Sequence, residues 1–405
     1  MGLDAKERQL CDLIGRRHDA LLADLALHVG LPTGPGGNAI DETRERFAER
    51  LERLGAKTEL VPGVPKPDWL RGTDPETPIP PTAVCRRTRE GMPRVLIAGH
   101  LDTVHSVSSP FRALTVAPDA KTATGPGCVD MKGGLVIAVA ALEALEEAGV
   151  DASWSFLMNA DEETGTYHSE PALRNEAARH DFGIAIEPAL PGGELAIERM
   201  GSGQFMIECR GKSAHVGRAF VDGVSAVTAL GRAIVKVSEI ADPAKGRIVN
   251  VGPLECTTPP NVVPPLAKAW GNARYPTPEV GEEVGALLDS IGTGEEAVPA
   301  TIIRRSFNRP AKPLIPETER LALAARAAAE DLGQSLPFAK TGGVCDGNTL
   351  QDAGLPTLDT LGVRGGGLHT TEEWIELASL VERCQLLAVL LSRLASGRIG
   401  LDPPR

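Results

Sequence analysis

The segment RVLIAGHLDTV, residues 94–104, joins a run of apolar residues to a histidine and an aspartate that stand two positions apart. A short apolar run that ends in polar residues predicts a buried strand followed by a loop. His100 and Asp102 can point the same way, and a carboxylate beside the ring can fix the histidine tautomer that binds a metal. A loop histidine with a capping aspartate is the alternative for this segment taken alone.

Outward from this segment, apolar runs alternate with helical patterns. Residues 94–98, 154–159 and 182–186 are apolar runs, and residues 135–148 show helical spacing that ends at Gly149. This alternation predicts an α/β fold, a mostly parallel sheet flanked by helices. Ligands of such sheets bind beyond the carboxyl ends of the strands. Because His100, Glu163 and Glu187 each follow a predicted strand, we expect them to share one site.

A second region begins near Arg199 and has a βαββαβ-like order. Strands are predicted at residues 205–209, 248–251 and 266–272, and helices at 225–240 and 279–291, which is typical of a small α+β domain. Helical periodicity returns at residues 317–332 and 375–394. We therefore predict a discontinuous catalytic domain of residues 1–197 and 311–405, with an inserted domain of residues 198–310.

The first 81 residues come before the segment of residues 94–104. Helical spacing over residues 4–28 and again over 41–54 predicts that two helices open the chain. Residues 61–81 contain seven prolines and few apolar residues, which indicates an extended surface insertion.

Composition limits the classes of partner. The formal net charge of −12 argues against nucleic acid or an anionic membrane, because both bind basic surfaces. The seven cysteines are scattered and form no Cys-x-x-Cys pair, so neither a disulfide framework nor a thiolate zinc site is expected. No run reaches the length of a membrane span, and the first residues lack the apolar core of a signal peptide. We expect a cytoplasmic protein.

Five short segments each contain a residue type that binds zinc; the predicted ligands are His100, Asp130, Glu163, Glu187 and His369. Two imidazoles and three carboxylates suit a pair of zinc ions, with Asp130 as the natural bridge. A water held between two such ions loses its proton near neutral pH and can attack a carbonyl carbon. The set therefore predicts a hydrolase. Taken alone, Asp130 could cap a helix and His369 could belong to the cap of the last helix, while Glu162 and Glu163 could form a solvated acidic turn.

The two adjacent carboxylates Glu162 and Glu163 serve two purposes in such a site. One can bind metal, while the other takes a proton from the attacking water and gives it to the leaving amine.

The five segments, together with GKSAHVG at residues 211–217, resemble in their order the dizinc metallopeptidases and deacylases of clan MH. The resemblance runs from about residue 94 to about residue 380 and is greatest to bacterial glutamate carboxypeptidases of the carboxypeptidase G type. Acetylornithine deacetylase, succinyl-diaminopimelate desuccinylase and the aminoacylases are similar too. Six short motifs in register make the resemblance specific.

The resemblance implies roles for residues that the pattern alone leaves open. It makes Glu162 the general base, Glu163 a ligand and Glu187 a second carboxylate on the metal of His100. It implies two zinc ions per chain, with cobalt or manganese as substitutes. It also implies that the inserted domain is both a lid and the surface of a homodimer, and that His215 reaches an active site, that of the partner subunit, to bind the developing oxyanion.

Further positions resemble the substrate-binding residues of glutamate carboxypeptidases: Asn261, Arg274, Arg309, Gly342 and Gly343. A surface ion pair is the alternative for each arginine. Val344 and Cys345 depart from the pattern of those enzymes, so the choice of substrate stays open.

These observations predict a dizinc amidohydrolase that cleaves the amide bond next to a free carboxylate, as a glutamate-type carboxypeptidase does. An N-acyl amino acid deacylase would use the same site with different pocket walls. An inactive scaffold is the third hypothesis, and it is disfavoured because every predicted ligand and the predicted base are present. The expected substrate is a small peptide or an N-acyl amino acid.

Overall fold

In the computed structural model of the protein, residues 2–74 and 76–398 are described; residues 1, 75 and 399–405, which belong to the predicted catalytic domain, lie outside the described residues. The helices are α1 (Ala5–Gly15), α2 (His18–Gly30), α3 (Ile40–Arg53), α4 (Lys132–Glu147), α5 (Glu170–Ala177), α6 (Val216–Ala219), α7 (Ala226–Ser238), α8 (Pro278–Asp289), α9 (Pro316–Asp331), α10 (Asp346–Asp352) and α11 (Ala378–Ala395). The strands are β1 (Lys57–Val61), β2 (Thr82–Arg87), β3 (Arg94–His100), β4 (Thr115–Val116), β5 (Thr122–Thr124), β6 (Ser153–Asn159), β7 (Phe182–Ala185), β8 (Leu195–Arg199), β9 (Gly201–Arg210), β10 (Ala214–His215), β11 (Ile248–Glu255), β12 (Val262–Val263), β13 (Leu266–Tyr275), β14 (Ala300–Arg309), β15 (Phe338–Thr341), β16 (Thr357–Leu358), β17 (Gly365–Gly366) and β18 (Trp374–Glu376).

The central sheet has the strand order β1-β2-β6-β3-β7-β16. Strands β6, β3, β7 and β16 are parallel, and β1 and β2 add an antiparallel edge. Alternate residues of β3 face opposite sides: Val95 and Ile97 join the core beneath α4 and α11, whereas Leu96 and Ala98 join a core that includes residues of α5 and α10. Helices therefore cover both faces, which explains why the parallel strands are continuous apolar runs. The predicted α/β class is confirmed.

A second, antiparallel sheet has the order β11-β13-β9-β14 and is packed against α7 and α8. Its core is a separate cluster that includes Phe205, Ile207, Leu230 and Val284. The chain enters this sheet from β8 and leaves it from β14 toward α9. This arrangement follows the predicted βαββαβ order, while the predicted limits of residues 198–310 stay a prediction.

Two sequence-based expectations about helices are wrong. Residues 4–28 form two helices instead of one, because the Arg17 amide bonds the Ile14 carbonyl and ends α1 after Gly15, a residue that weakens a helix. The last helix begins at Ala378 rather than near residue 375. Residues 374–376 form β18, in which Ile375 pairs with Ala123 of β5.

All seven cysteines are free. Within residues 2–74 and 76–398, no helix is both long enough and apolar enough to cross a bilayer.

Candidate metal centre and its cavity

Three of the five predicted ligands lie at the carboxyl ends of three adjacent parallel strands. His100 is the last residue of β3, Glu163 lies on the loop after β6, and Glu187 comes two residues after β7. Because β3 lies between β6 and β7, side chains that follow these strands meet at one edge of the sheet. This common edge places the three residues within reach of one another.

Two groups of potential ligand atoms share Asp130. In the first group, atoms of His100, Asp130 and Glu187 lie within 4.8 Å of one another, and all three residues are buried. In the second group, the same limit holds for Asp130, Glu163 and His369. The Nε2 atom of His100 lies 3.3 Å from Oδ1 of Asp130, whereas Nε2 of His369 lies 3.5 Å from Oδ2 of the same residue. The two oxygens of Asp130 thus face different histidines.

The carboxylates of Asp130, Glu163 and Glu187 lie close together, and their side chains are largely buried. Burial, together with the negative charge of Asp130, raises the pKa of Glu163 to about 8 and raises the pKa of Glu187 well above its ordinary value. Burial alone would also raise the pKa of Asp130, but hydrogen bonds from His100 and His369 hold it below its ordinary value. The centre therefore needs positive charge if all three carboxylates are to be ionised.

The loop that carries Asp130 is fixed by Glu373. This fully buried carboxylate accepts hydrogen bonds from the amides of Gly127, Val129 and Asp130 at 2.9–3.0 Å. Its Oε2 atom also lies 2.6 Å from Nε2 of His105. The sequence alone does not predict this role of Glu373, because the residue lies some 240 positions after the loop and only the fold brings the two together.

Two oxygen atoms of Asp102 lie near the ring of His100. The carbonyl oxygen of Asp102, at 2.9 Å, is closer to Nδ1 of His100 than its carboxylate, which lies at 3.5 Å. The carboxylate accepts hydrogen bonds from the amides of Glu162 at 3.3 Å and Glu163 at 3.0 Å. Asp102 therefore both orients His100 and ties it to the loop of the two adjacent glutamates.

A cavity of about 370 Å³ opens beside the second group of ligand atoms. It lies between the loop after β6 and the antiparallel sheet, and it includes the predicted residues Glu162, Arg274, Arg309 and Gly343. The remaining lining residues are Glu163, Thr164, Gly165, Ser202, Gln204, Asn272, Asn308, Val344 and His369. Sequence reasoning missed Ser202, Gln204 and Asn272, because strand residues with polar side chains are common and only the pairing of β9 with β13 brings these three to one surface.

The two arginines differ in their surroundings. Arg309 is buried, and its Nη1 atom donates to Oε1 of Glu162 at 2.7 Å. Arg274 is less enclosed; its Nε donates to Oδ1 of Asn272 at 3.1 Å, and its Nη1 reaches the carbonyl of Gly342 at 3.5 Å. Burial and the charge of Arg309 lower the pKa of Arg274. In the sequence-based prediction both arginines bind substrate, and the structure brings both to the cavity.

His215 and Asn261 lie outside the group of residues that lines this cavity. Both are exposed, and they are neighbours on the inserted region, where the Val216 amide donates to the Asn261 carbonyl at 3.0 Å. The Nδ1 atom of His215 accepts a hydrogen bond from the Gly217 amide at 3.2 Å. The predicted role of His215 in the site of a partner subunit therefore stays a prediction, as does the predicted role of Asn261 in substrate binding.

Comparison with known proteins decides the family. Residues 96–393 match Peptidase family M20/M25/M40. The chain belongs to this family. The resemblance inferred from the motifs is thereby confirmed, and the protein is an M20 hydrolase of the peptidase and amidohydrolase type.

Two M20 relatives illustrate the range of activities. Carboxypeptidase G2 of Pseudomonas sp. (strain RS-16) is 27% identical over 320 residues, which cover 76% of this chain and 75% of the relative. Succinyl-diaminopimelate desuccinylase of Methylorubrum populi is 29% identical over 331 residues, which cover 74% and 82%. The two names stand for different substrates.

Solved structures of M20 proteins share the fold. Aminopeptidase PepT of Bacillus cereus superposes with a TM-score of 0.73 at 21% identity and covers 93% of this chain and 99% of that one. The YXEP protein of Bacillus subtilis, a dinuclear metal binding peptidase from the M20 family, has a TM-score of 0.64 at 17% identity, with coverage of 94% and 99%.

The residues of this chain fit the metal pair of an M20 enzyme. Two groups of nitrogen and carboxylate donors share Asp130, an arrangement that would suit a two-metal site. Glu163 offers a buried oxygen, Oε1, that has no hydrogen-bond partner among the described residues. A buried acceptor without a partner is costly, and a cation beside it removes that cost.

Proposed function

We propose that this M20 protein hydrolyses the amide bond next to a free carboxylate and releases a C-terminal amino acid, as a glutamate-type carboxypeptidase. The observation that carries the proposal is the position of Arg274 and Arg309 in the cavity that also exposes Glu162, Glu163 and His369. Guanidinium groups bind carboxylates through parallel hydrogen bonds. A substrate whose free carboxylate meets these arginines would place its amide bond near the metal ligands.

We propose that the metal pair is zinc, with cobalt or manganese as substitutes. His100, Asp130 and Glu187 would hold one ion, and Asp130, Glu163 and His369 would hold the other. When bound, such a pair supplies an activated water at neutral pH and polarises the substrate carbonyl. Nitrogen and carboxylate donors without thiolates suit all three metals.

The side chains around the ligands then supply proton transfer and positioning. Glu162 faces the cavity and is assigned the role of general base, which accepts a proton from the attacking water and returns it to the leaving amine. Asp102 keeps the loop of Glu162 in place through its two backbone hydrogen bonds. We propose that Gly342 and Gly343 contact the terminal residue of the substrate beside Arg274, whose Nη1 reaches the Gly342 carbonyl at 3.5 Å.

We further propose that the protein is a homodimer through the inserted domain, and that His215 and Asn261 act in the site of the partner subunit. Both are exposed and lie away from the lining of their own chain's cavity. An exposed imidazole that is carried by a second subunit could donate a hydrogen bond to the oxyanion as charge develops on it.

An N-acyl amino acid deacylase is the second candidate. The observation that favours it is the similarity to succinyl-diaminopimelate desuccinylase, whose identity to this chain is as high as that of carboxypeptidase G2. A deacylase would use the same ligands and base, and it would differ in the acyl side of its cavity.

The test is an activity screen of the zinc-loaded protein with matched substrates. Peptides and N-acyl derivatives that end in glutamate, aspartate or a neutral amino acid are compared with the same compounds as C-terminal amides. The proposal predicts that peptidyl glutamate is preferred over N-acetyl and N-succinyl substrates, and that free carboxylates are preferred over amides. A preference for N-succinyl or N-acetyl substrates would favour the deacylase, and equal rates with amides would refute both.

A further inference from the structure

An ion pair crosses the cleft between the two sheets. Arg309 is the last residue of β14 in the antiparallel sheet, and Glu162 lies on the loop after β6 of the central sheet. Their Nη1 and Oε1 atoms are 2.7 Å apart, and both side chains line the cavity. The group assigned as the general base and the group assigned as the carboxylate anchor therefore contact each other directly.

The guanidinium is held mainly by other contacts. Its Nη2 atom donates to the carbonyl of Glu162 at 2.8 Å and to the hydroxyl of Thr166, and its Nε lies 3.4 Å from the carbonyl of Gly165. The hydroxyl of Thr166 in turn donates to Asp346 at 2.9 Å. Only one of these contacts of Arg309 involves the Glu162 carboxylate, so the guanidinium can stay in place when that carboxylate moves away.

The Glu162 carboxylate has the same chemistry as the end of the proposed substrate. Both are carboxylates that accept charge-assisted hydrogen bonds from a guanidinium. A substrate that enters the cavity with its free carboxylate toward Arg309 competes directly with Glu162 for Nη1. While Glu162 is bound to Arg309, its carboxylate contacts the last residue of β14.

Resting on the proposed function, we propose that Glu162 is a placeholder for the substrate carboxylate. In the free enzyme it occupies Arg309, and a carboxylate-bearing substrate displaces it, so that the base is released only when a proper substrate is bound. Selectivity for free carboxylates then appears in kcat as well as in KM, because a neutral substrate leaves the base paired. If Arg309 only anchored the carboxylate, the preference for acids over amides would appear in KM alone. If Arg309 only stabilised the structure, its substitution would slow all substrates equally.

Propionate tests this placeholder in the wild-type, metal-loaded enzyme. The substrates are the best peptidyl or N-acyl amino acid of the activity screen and its C-terminal amide. We expect propionate to inhibit hydrolysis of the acid and to raise kcat for the amide at least about 3-fold, because it frees Glu162 from Arg309. Propionate that does not accelerate the amide, including the case in which the amide is not hydrolysed at all, would overturn the placeholder.

Two variants make the test specific. Arg309→Met should lose the response to propionate, because the guanidinium that propionate would occupy is gone. Arg305→Met, from the same strand, removes a surface arginine that pairs with Asp289 at 2.7 Å, and it should keep the response. If Arg309→Met slowed the acid and the amide equally, Arg309 would be a structural residue.

A crystal structure of the wild-type enzyme with propionate gives a readout that does not need turnover. We expect the distance from Arg309 Nη1 to Glu162 Oε1 to exceed 3.5 Å, with propionate on the guanidinium. Bound propionate with the ion pair still intact would overturn the placeholder. Failure of the acid to be hydrolysed would instead refute the proposed function, so the two failures are distinguishable.

Discussion

Glu162 and Glu163 are adjacent in sequence and have different surroundings. Glu162 contacts Arg309 from the antiparallel sheet, whereas Glu163 faces His369 at 3.3 Å. One buried oxygen of Glu163 has no hydrogen-bond partner in the part of the chain that the structure describes. The sequence could predict that two carboxylates follow a strand and serve two purposes. It could not predict the ion pair with Arg309, because that contact depends on how β14 approaches a loop that lies some 145 residues earlier.

Substitution of each glutamate by glutamine should separate the two roles. Glu162→Gln is expected to keep both metals and lower kcat by ~10²- to 10⁴-fold, the usual share of a general base. Glu163→Gln is expected to bind fewer ions, because it loses a charged ligand. Steady-state kinetics and elemental analysis check both variants. Activity of Glu162→Gln within a few fold of wild type would mean that another group is the base.

Glu373 should matter although it is not a predicted ligand. Glu373→Ala leaves three amides of the Asp130 loop without their acceptor, and we expect a metal affinity about 10- to 100-fold weaker, as for other groups that orient ligands. The exposed neighbour Glu372 provides the matched control, Glu372→Ala, which should bind metal as the wild type does. Calorimetric titration with the metal measures the affinity of each variant. Equal affinities in the two variants would contradict this role of Glu373.

At the scale of elements, the two connections between the sheets are joined to each other. The backbones of Arg199 and Lys312 exchange two hydrogen bonds of 3.0 Å, and both side chains meet the buried carboxylate of Asp359, at 3.0 Å and 3.2 Å. The Asn348 amide donates to the carbonyls of Met200 and Pro310, one on each connection. This cluster fixes the point from which the antiparallel sheet extends.

Removal of the charge of Asp359 should destabilise the protein strongly. Asp359→Asn leaves two buried cations without their counter-charge, and we expect a loss of about 3–5 kcal/mol in the free energy of unfolding. Asp352→Asn removes a partly exposed partner of Arg174 and should cost at most about 1 kcal/mol. Urea unfolding followed by circular dichroism compares the two variants. Similar losses would show that the buried cluster contributes no more than a surface pair.

The elements themselves were predictable to different degrees. Strands β3, β6 and β7 are short runs of buried apolar residues between polar ends, so their existence and the α/β class followed from the sequence. The break between α1 and α2 and the strand β18 did not. β18 exists because Trp374–Glu376 pair with β5, whose residues are some 250 positions away, and a three-residue strand has no period of its own.

At the scale of the whole molecule, the inserted region exposes apolar side chains. Phe220, Val221, Val235, Ile248 and Leu254 are all exposed on this region. Exposed apolar residues on one region are consistent with the homodimer proposed from the family resemblance. His215, close in sequence to Phe220 and Val221, would then be carried toward a neighbouring subunit.

Subunit mixing tests whether His215 acts across a dimer. His215→Ala and Glu162→Gln proteins should each be nearly inactive, and an equal mixture after exchange should regain about a quarter of wild-type activity. Half of the dimers are then mixed, and each mixed dimer has one complete site. Subunit exchange is verified with two differently tagged proteins. No recovery after proven exchange would show that His215 acts within its own chain or not at all.

The metal content of the purified protein tests the central claim most directly. Elemental analysis after a zinc soak and removal of excess metal should find two ions per chain in the wild type, because the two donor groups share Asp130. Asp130→Ala should lose both ions, and His369→Ala should lose mainly one. A wild-type protein that saturates at one ion per chain, or an Asp130→Ala variant that keeps both, would contradict the shared site.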